Sequence, residues 1–78
     1  MDNATKDKII KTINEVMGLD IKELDENRKL SEISEWDSFN NLMLISRFQD
    51  DFNIEFTAVE IEDAQTIKDI FALLDKKI

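Results

Sequence analysis

The sequence contains no Cys, no His, no Pro and no Tyr, and it has one Gly among 78 residues. The missing Cys excludes a disulfide framework and thiolate metal sites, and the missing His removes the commonest metal ligand and general base. No apolar run approaches the roughly 20 residues of a membrane span, and the N-terminus has no hydrophobic signal segment. These absences predict a single cytoplasmic domain over residues 1–78 that is not an enzyme, binds no metal and enters no membrane.

Charge is plentiful, but it is unevenly distributed. The chain has 18 acidic and 10 basic residues and a net charge of −8. Residues 30–67 hold nine of the acids and a single base, Arg47. Such a surface argues against nucleic acid as a partner, because a phosphate backbone requires Lys and Arg. It is either a solvated surface that keeps the protein soluble or a docking face for basic partners.

Apolar residues at helical spacing predict a first helix over residues 3–17, with Gly18 as its left-handed C-cap. Residues 19–36 are interpreted as a long connection, with a short helical turn near either residues 21–24 or residues 30–33. A connection of this length in a small domain is often functional.

A second helix is predicted from Asp37 and Ser38 to about Asn53, with Asp37 capping its first turn. Its 3–4 spacing predicts a core face, formed by Phe39, Leu42, Ile45, Phe48 and Phe52. Met43 and Leu44 extend the apolar arc beyond that face. Met43 is either a peripheral core residue or a contact for a partner.

Two further helices are predicted from capping boxes. Thr57 and Glu60 predict a short third helix to about Asp63, and Thr66 with Asp69 predicts a fourth that runs to the C-terminus. Residues 54–56 connect the second helix to the third as an extended segment that buries two side chains. The fold class is therefore all-α, a four-helix bundle with a long loop between helices 1 and 2 and a short third helix.

The segment Trp36-Asp37-Ser38-Phe39 places a hydroxyl group where the long loop meets the second helix. A phosphate on this hydroxyl would lie at the positive end of the helix dipole. An Asp-Ser pair before a helix is also ordinary capping, and the local residues alone leave both interpretations open.

The wider pattern favours a known family. Asp37-Ser38-Phe39, followed by apolar residues at helical spacing, resembles the second helix of acyl and peptidyl carrier proteins, whose signature is Asp-Ser-Leu, often preceded by Trp. The resemblance extends over nearly the whole chain. It includes the first helix up to Gly18, the long loop, the acidic middle and the short third helix.

The resemblance implies that Ser38 carries 4′-phosphopantetheine, attached by a phosphopantetheinyl transferase that uses coenzyme A. The thiol of this arm would hold acyl or aminoacyl groups as thioesters and so provide the thiol that the chain lacks. Partners would be loading ligases, synthases and transferases of lipid or specialised-metabolite biosynthesis, with basic docking patches, and the carrier would be a monomer. Their predicted contacts are Asp37, Phe39, Leu42, Met43, Asp50 and Glu62.

The chain also departs from the family. Phe39 stands where Leu or Met is usual, and Asn40 and Met43 stand where members of fatty-acid synthesis usually carry acids. Asn40, Met43 and Arg47 on the presumed docking helix predict a specialised set of partners. Bulky residues on the faces that line the acyl pocket in the family predict short, polar or aminoacyl cargo; they are Phe48, Phe56, Ile61 and Ile70. The alternative function is a small acidic interaction module, an adaptor or inhibitor, in which Ser38 only helps to cap the helix.

Overall fold

The structure, a computed structural model, describes residues 2–20 and 27–78. Its elements, in chain order, are α1 (Asn3–Met17), a 3-10 turn (Leu30–Glu32), α2 (Ser38–Phe52), α3 (Ala58–Asp63) and α4 (Ile67–Lys77). The four-helix prediction is therefore confirmed, including the short third helix. Within the described ranges, the β structure is one isolated bridge between Lys29 and Thr66.

Local capping sets the ends of the helices. The side chains of Asp2, Asp37, Thr57 and Thr66 each accept a hydrogen bond from a backbone N–H in the first turn of the helix that follows. Thr57 and Thr66 form the two predicted capping boxes. Gly18 and Asn53 end α1 and α2 in the left-handed conformation, with φ of 69° and 53°. These caps satisfy backbone groups that a helix end leaves without a partner.

The core lies between α1, α2 and α4, and α1 packs against α2. Ile33, from the long loop, is buried in this core, whereas α3 contributes no buried residue. The buried core residues are Ile9, Ile13, Met17, Ile33, Leu44, Ile45, Phe48, Ile67, Ile70, Phe71 and Leu74. Ile54 and Phe56 are partly buried against it, as predicted for the extended connection.

The predicted core face of α2 is wrong in its first turns. Phe39 and Leu42 are 71% and 63% exposed, whereas Leu44 is fully buried. The prediction combined two sets of apolar residues that lie on different sides of the helix: Phe39 and Leu42 face solvent, whereas Ile45 and Phe48 face the core. Ile78, which follows the last residue of α4, is also exposed.

The long loop is fastened to the turn between α3 and α4. The N–H of Leu30 donates to the carbonyl of Gln65 (2.9 Å), and the N–H of Ile67 donates to the carbonyl of Arg28 (3.1 Å). Of the two predicted helical turns, the one near residues 30–33 is confirmed as the 3-10 turn. The other, near residues 21–24, lies outside the described residues.

Candidate functional site

Ser38 is the first residue of α2, and its side chain is exposed. The preceding residue, Asp37, is the N-cap, and its carboxylate accepts a hydrogen bond from the N–H of Asn40 (2.8 Å). The carbonyl of Asp37 accepts from the N–H of Asn41 at the same distance of 2.8 Å. Ser38 is therefore held on a capped helix end, where its hydroxyl faces solvent at the positive end of the helix dipole.

Two side-chain contacts fix the segment before Ser38 against the first turn of α2. The indole N–H of Trp36 donates to Oδ1 of Asn41 (2.9 Å), and the side-chain amide of Asn40 donates to the carbonyl of Glu35 (2.8 Å). Sequence reasoning missed these contacts. The two residues are five positions apart, but nothing in the sequence shows that the side chain of Trp36, which precedes α2, contacts the side chain of Asn41 within it.

Acidic groups flank the same segment. Glu35 accepts a hydrogen bond from the hydroxyl of Ser34 (2.8 Å), and this bond lowers the pKa of Glu35. Both Glu35 and Asp37 are exposed. A positive group that approaches Ser38 from the loop side therefore meets the carboxylates of Glu35 and Asp37.

Apolar side chains project outward from α2 beside Ser38. Phe39, Leu42 and Met43 are all exposed and have i, i+3 and i+4 spacing, which places them on one side of the helix. An α-helix turns about 100° per residue, so this side is opposite the buried residues Leu44 and Phe48. We call Phe39, Leu42 and Met43 the outward stripe. Met43 is 41% exposed, so it is not a core residue.

The predicted acidic contacts lie elsewhere. Asp50 is exposed on the same side of α2, but roughly 18 Å along the helix axis from Ser38. Glu62 is exposed on α3. Arg47, the one base of the acidic middle, donates to Glu15 on α1 (3.0 Å) and so bridges two helices. The surface around Ser38 is therefore apolar along α2, with carboxylates at the edges.

A shallow hollow of about 200 Å³ opens beside Ser38. Trp36, Asp37 and Asn41 line it together with Ser38, and Ile61 of α3 and Ala64, the residue that follows α3, form another part of its lining. Leu30 completes the lining and also borders a second hollow, of about 420 Å³, along the loop toward Thr66. The structure thus places α3 next to Ser38, although the rest of α2 and the extended connection lie between them in the sequence.

Comparison with known proteins places this geometry in a family. The family model for the phosphopantetheine attachment site matches residues 7–74. An acyl carrier protein from Buchnera aphidicola is 33% identical over 78 residues, covering 100% of this chain and 99% of its own length. One from Akkermansia muciniphila is 27% identical, with coverage of 96% and 94%. The crystal structure of an acyl carrier protein from Thermotoga maritima superposes with a TM-score of 0.80 at 27% identity, covering 95% and 86% of the two chains.

The chain belongs to the acyl carrier protein family, whose members bear a phosphopantetheine attachment site. It is therefore a carrier rather than a catalyst, and its prosthetic group is a covalently attached 4′-phosphopantetheine. Its partners in general terms are a phosphopantetheinyl transferase and enzymes that handle acyl groups. Within residues 2–20 and 27–78, no helix has the length and apolar character needed to span a membrane.

Proposed function

We propose that Ser38 is the residue to which the 4′-phosphopantetheine is attached. The observation that carries this proposal is the exposed hydroxyl at the first position of α2, in a chain whose family bears that arm. Attachment would form a bond between Oγ of Ser38 and the phosphorus of the phosphopantetheine. The diphosphate bond of coenzyme A would break, the hydroxyl would lose its proton, and adenosine 3′,5′-bisphosphate would leave.

The residues present suit a phosphodiester at this position. An anionic phosphate on Ser38 would be stabilised by the positive end of the α2 dipole, within the first turn where that effect is strongest. Asp37 accepts a hydrogen bond from the N–H of Asn40, and this cap stabilises the first turn of α2, which carries Ser38. The arm would extend from a rigid helix end, which presents its thiol at high effective concentration to a docked enzyme.

Partner enzymes would dock on α2 beside Ser38. We assign Phe39, Leu42 and Met43 to the apolar centre of this contact, and Asp37, Asp50 and Glu62 to its edges, where basic groups of a partner would meet them. Because the outward stripe is uncharged, the set of partners would be a specialised one rather than that of general fatty-acid synthesis. If this chain replaced a housekeeping carrier in a reconstituted fatty-acid synthase at full rate, this part of the proposal would be wrong.

Intact mass measurement tests the attachment site. The apo protein is incubated with coenzyme A and a broad-specificity phosphopantetheinyl transferase, beside the variants Ser38→Ala and Ser46→Ala. Ser46 is the matched control, because it is also an exposed serine on α2. We expect one phosphopantetheine on the wild type and on Ser46→Ala, and none on Ser38→Ala. Addition that survives Ser38→Ala would overturn the assignment, and no addition to any of the three would favour the acidic interaction module.

We further propose short, polar or aminoacyl cargo in a biosynthetic pathway of lipids or specialised metabolites. Phe48 and Ile70 are buried, and Phe56 and Ile61 are half-buried, so bulky side chains fill the faces that a long chain would need. Thermal unfolding of the hexanoyl and long-chain acyl forms tests this idea. We expect the long chain to add no stability beyond that of the short one, whereas strong stabilisation by the long chain would contradict it.

A further inference from the structure

Helix α3 is held differently from the other three helices. None of its residues is fully buried, and a hollow of about 330 Å³ separates part of it from α4. The hollow is lined by Glu60, Asp63, Ala64, Asp69, Ala72, Leu73 and Lys76. Because apolar burial is the main force that fixes a helix in a small domain, α3 depends more than the others on contacts at its ends.

One of these end contacts comes from the last residue of α4. The ammonium group of Lys77 lies 2.8 Å from Oε1 of Glu60 and donates to the carbonyl of Glu55, also at 2.8 Å. It also lies 5.6 Å from the centre of the Phe56 ring. The side chains of Lys77 and Glu60 are only 21% and 22% exposed, so solvent weakens this ion pair less than an open surface pair.

Glu60 serves two contacts with the same oxygen. Its Oε1 also accepts the N–H of Thr57 (2.9 Å), which completes the capping box of α3. The bonds from Lys77 and Thr57 lower the pKa of Glu60 to about 2. The cap belongs to α3 alone, whereas the contact with Lys77 joins α3 to α4, so the two can be removed separately.

The other end of α3 is fixed to the long loop. Ala64 packs against the core, and the carbonyl of the next residue, Gln65, accepts the N–H of Leu30 (2.9 Å). Ile61 of α3 and Ala64, the residue that follows α3, form one wall of the hollow beside Ser38. Movement of α3 at the Lys77 end would therefore change the width of that hollow.

We propose that the contact between Lys77 and Glu60 holds α3 against α4, and that breaking this contact moves α3 away from α4 and widens the hollow beside Ser38. We call this contact the latch. A positioning role for Lys77 in admitting cargo into that hollow rests on the proposed function of Ser38. The latch itself does not, because it is made of contacts within the unmodified chain.

Amide hydrogen exchange of the apo protein tests the latch. Lys77→Met removes the ammonium group but keeps an apolar stem beside Phe56. Lys76→Met is the matched control, since it removes the same charge from the same turn of α4. Lys77→Met loses the contacts of the ammonium group with Glu60 and with the carbonyl of Glu55. We therefore expect amides 61–63 to exchange about five to ten times faster in Lys77→Met and to be unchanged in Lys76→Met. Amides of the α1 core should be unaffected in both variants.

Trp36 is the single Trp of the chain and borders the hollow, so it reports the widening directly. Acrylamide should quench its fluorescence more efficiently in Lys77→Met than in Lys76→Met. If exchange and quenching are the same in the two variants, the latch is wrong. Since all these measurements use the apo protein, this failure would be separate from a failure of Ser38 to accept the arm.

A second variant removes the latch from the other side. Glu60→Gln keeps an oxygen that can cap Thr57 but loses the charge that pairs with Lys77. It should accelerate exchange of α3, but by less than Lys77→Met, which also loses the bond to the carbonyl of Glu55. The double variant Glu60→Gln with Lys77→Met should be no faster than Lys77→Met alone, because Lys77→Met already removes the contact with Glu60. Effects that multiply in the double variant would overturn the proposal.

Discussion

The two sides of α2 are built from the same kinds of residue but differ in their exposure to solvent. The inward side buries Leu44, Ile45 and Phe48 in the core, and the outward stripe exposes Phe39 and Leu42 beside Ser38. Both sides are apolar, so hydrophobicity alone does not distinguish a residue that stabilises the fold from one that meets a partner. We propose that the outward stripe contacts partners, because a monomer gains no stability from apolar side chains that stay in water.

The largest effect that separates the two sides is on stability. Leu44→Ala should lower the free energy of unfolding by about 2–5 kcal/mol, because it leaves a cavity in the core. Leu42→Ala, two residues away on the same helix, should change it by less than about 0.5 kcal/mol. Urea unfolding monitored by circular dichroism measures both values. Equal losses would mean that the outward stripe is part of the core.

The end of α2 that carries Ser38 should depend on its cap. Asp37→Ala removes the acceptor for the N–H of Asn40 and should cost about 1 kcal/mol of stability. Asp51→Ala removes the same charge near the C-terminal end of α2, where an acid opposes the dipole, so it should be neutral or slightly stabilising. Thermal unfolding of the two variants gives the comparison. A cost for Asp51→Ala as large as that for Asp37→Ala would show that charge, not capping, is responsible.

Acids distant from Ser38 should act more weakly, and only at low salt. Asp50→Asn combined with Glu62→Gln should raise the KM of the transferase for the carrier by about twofold to tenfold. The effect should fade as salt is added, since exposed charges are screened. Asp7→Asn combined with Asp20→Asn makes the same change of net charge away from the outward stripe. If both pairs raise KM equally, the acids contribute only a general field.

The smallest expected effect is the pH dependence of stability that comes from Glu60 on α3. The pKa of Glu60 is about 2 in the folded protein, below its ordinary value of 4.5. A lowered pKa means that the contribution of this carboxylate is complete above pH 4.5 and is lost as the pH falls through about 2. The stability difference between wild type and Glu60→Gln should therefore be constant down to about pH 5 and shrink below it. A difference that already shrinks near neutral pH would contradict the assignment.

The helix limits could be predicted because their causes are local. A few adjacent residues determine each of these helix ends. They are the capping boxes at Thr57 and Thr66 and the left-handed C-caps at Gly18 and Asn53. For Ser38 the local residues left capping and attachment both open, and the prediction that it carries the arm came from the resemblance to carrier proteins over nearly the whole chain.

What sequence reasoning missed depends on contacts between distant residues. The division of α2 into two sides requires knowing where α1 and α4 lie, and the pairing of Leu30 with Gln65 joins segments 35 positions apart. The same is true of Lys77, the last residue of α4. Its contact with Glu60 depends on how α3 is folded back against α4.

The rate of attachment tests the division of α2 most directly. With coenzyme A saturating, kcat/KM of the transferase is measured for the wild type, Leu42→Ala and Leu44→Ala, at a temperature where circular dichroism shows all three folded. We expect Leu42→Ala to lose about fivefold or more in kcat/KM, and Leu44→Ala to remain close to wild type. A loss confined to Leu44→Ala, with Leu42→Ala loaded at the wild-type rate, would contradict the account.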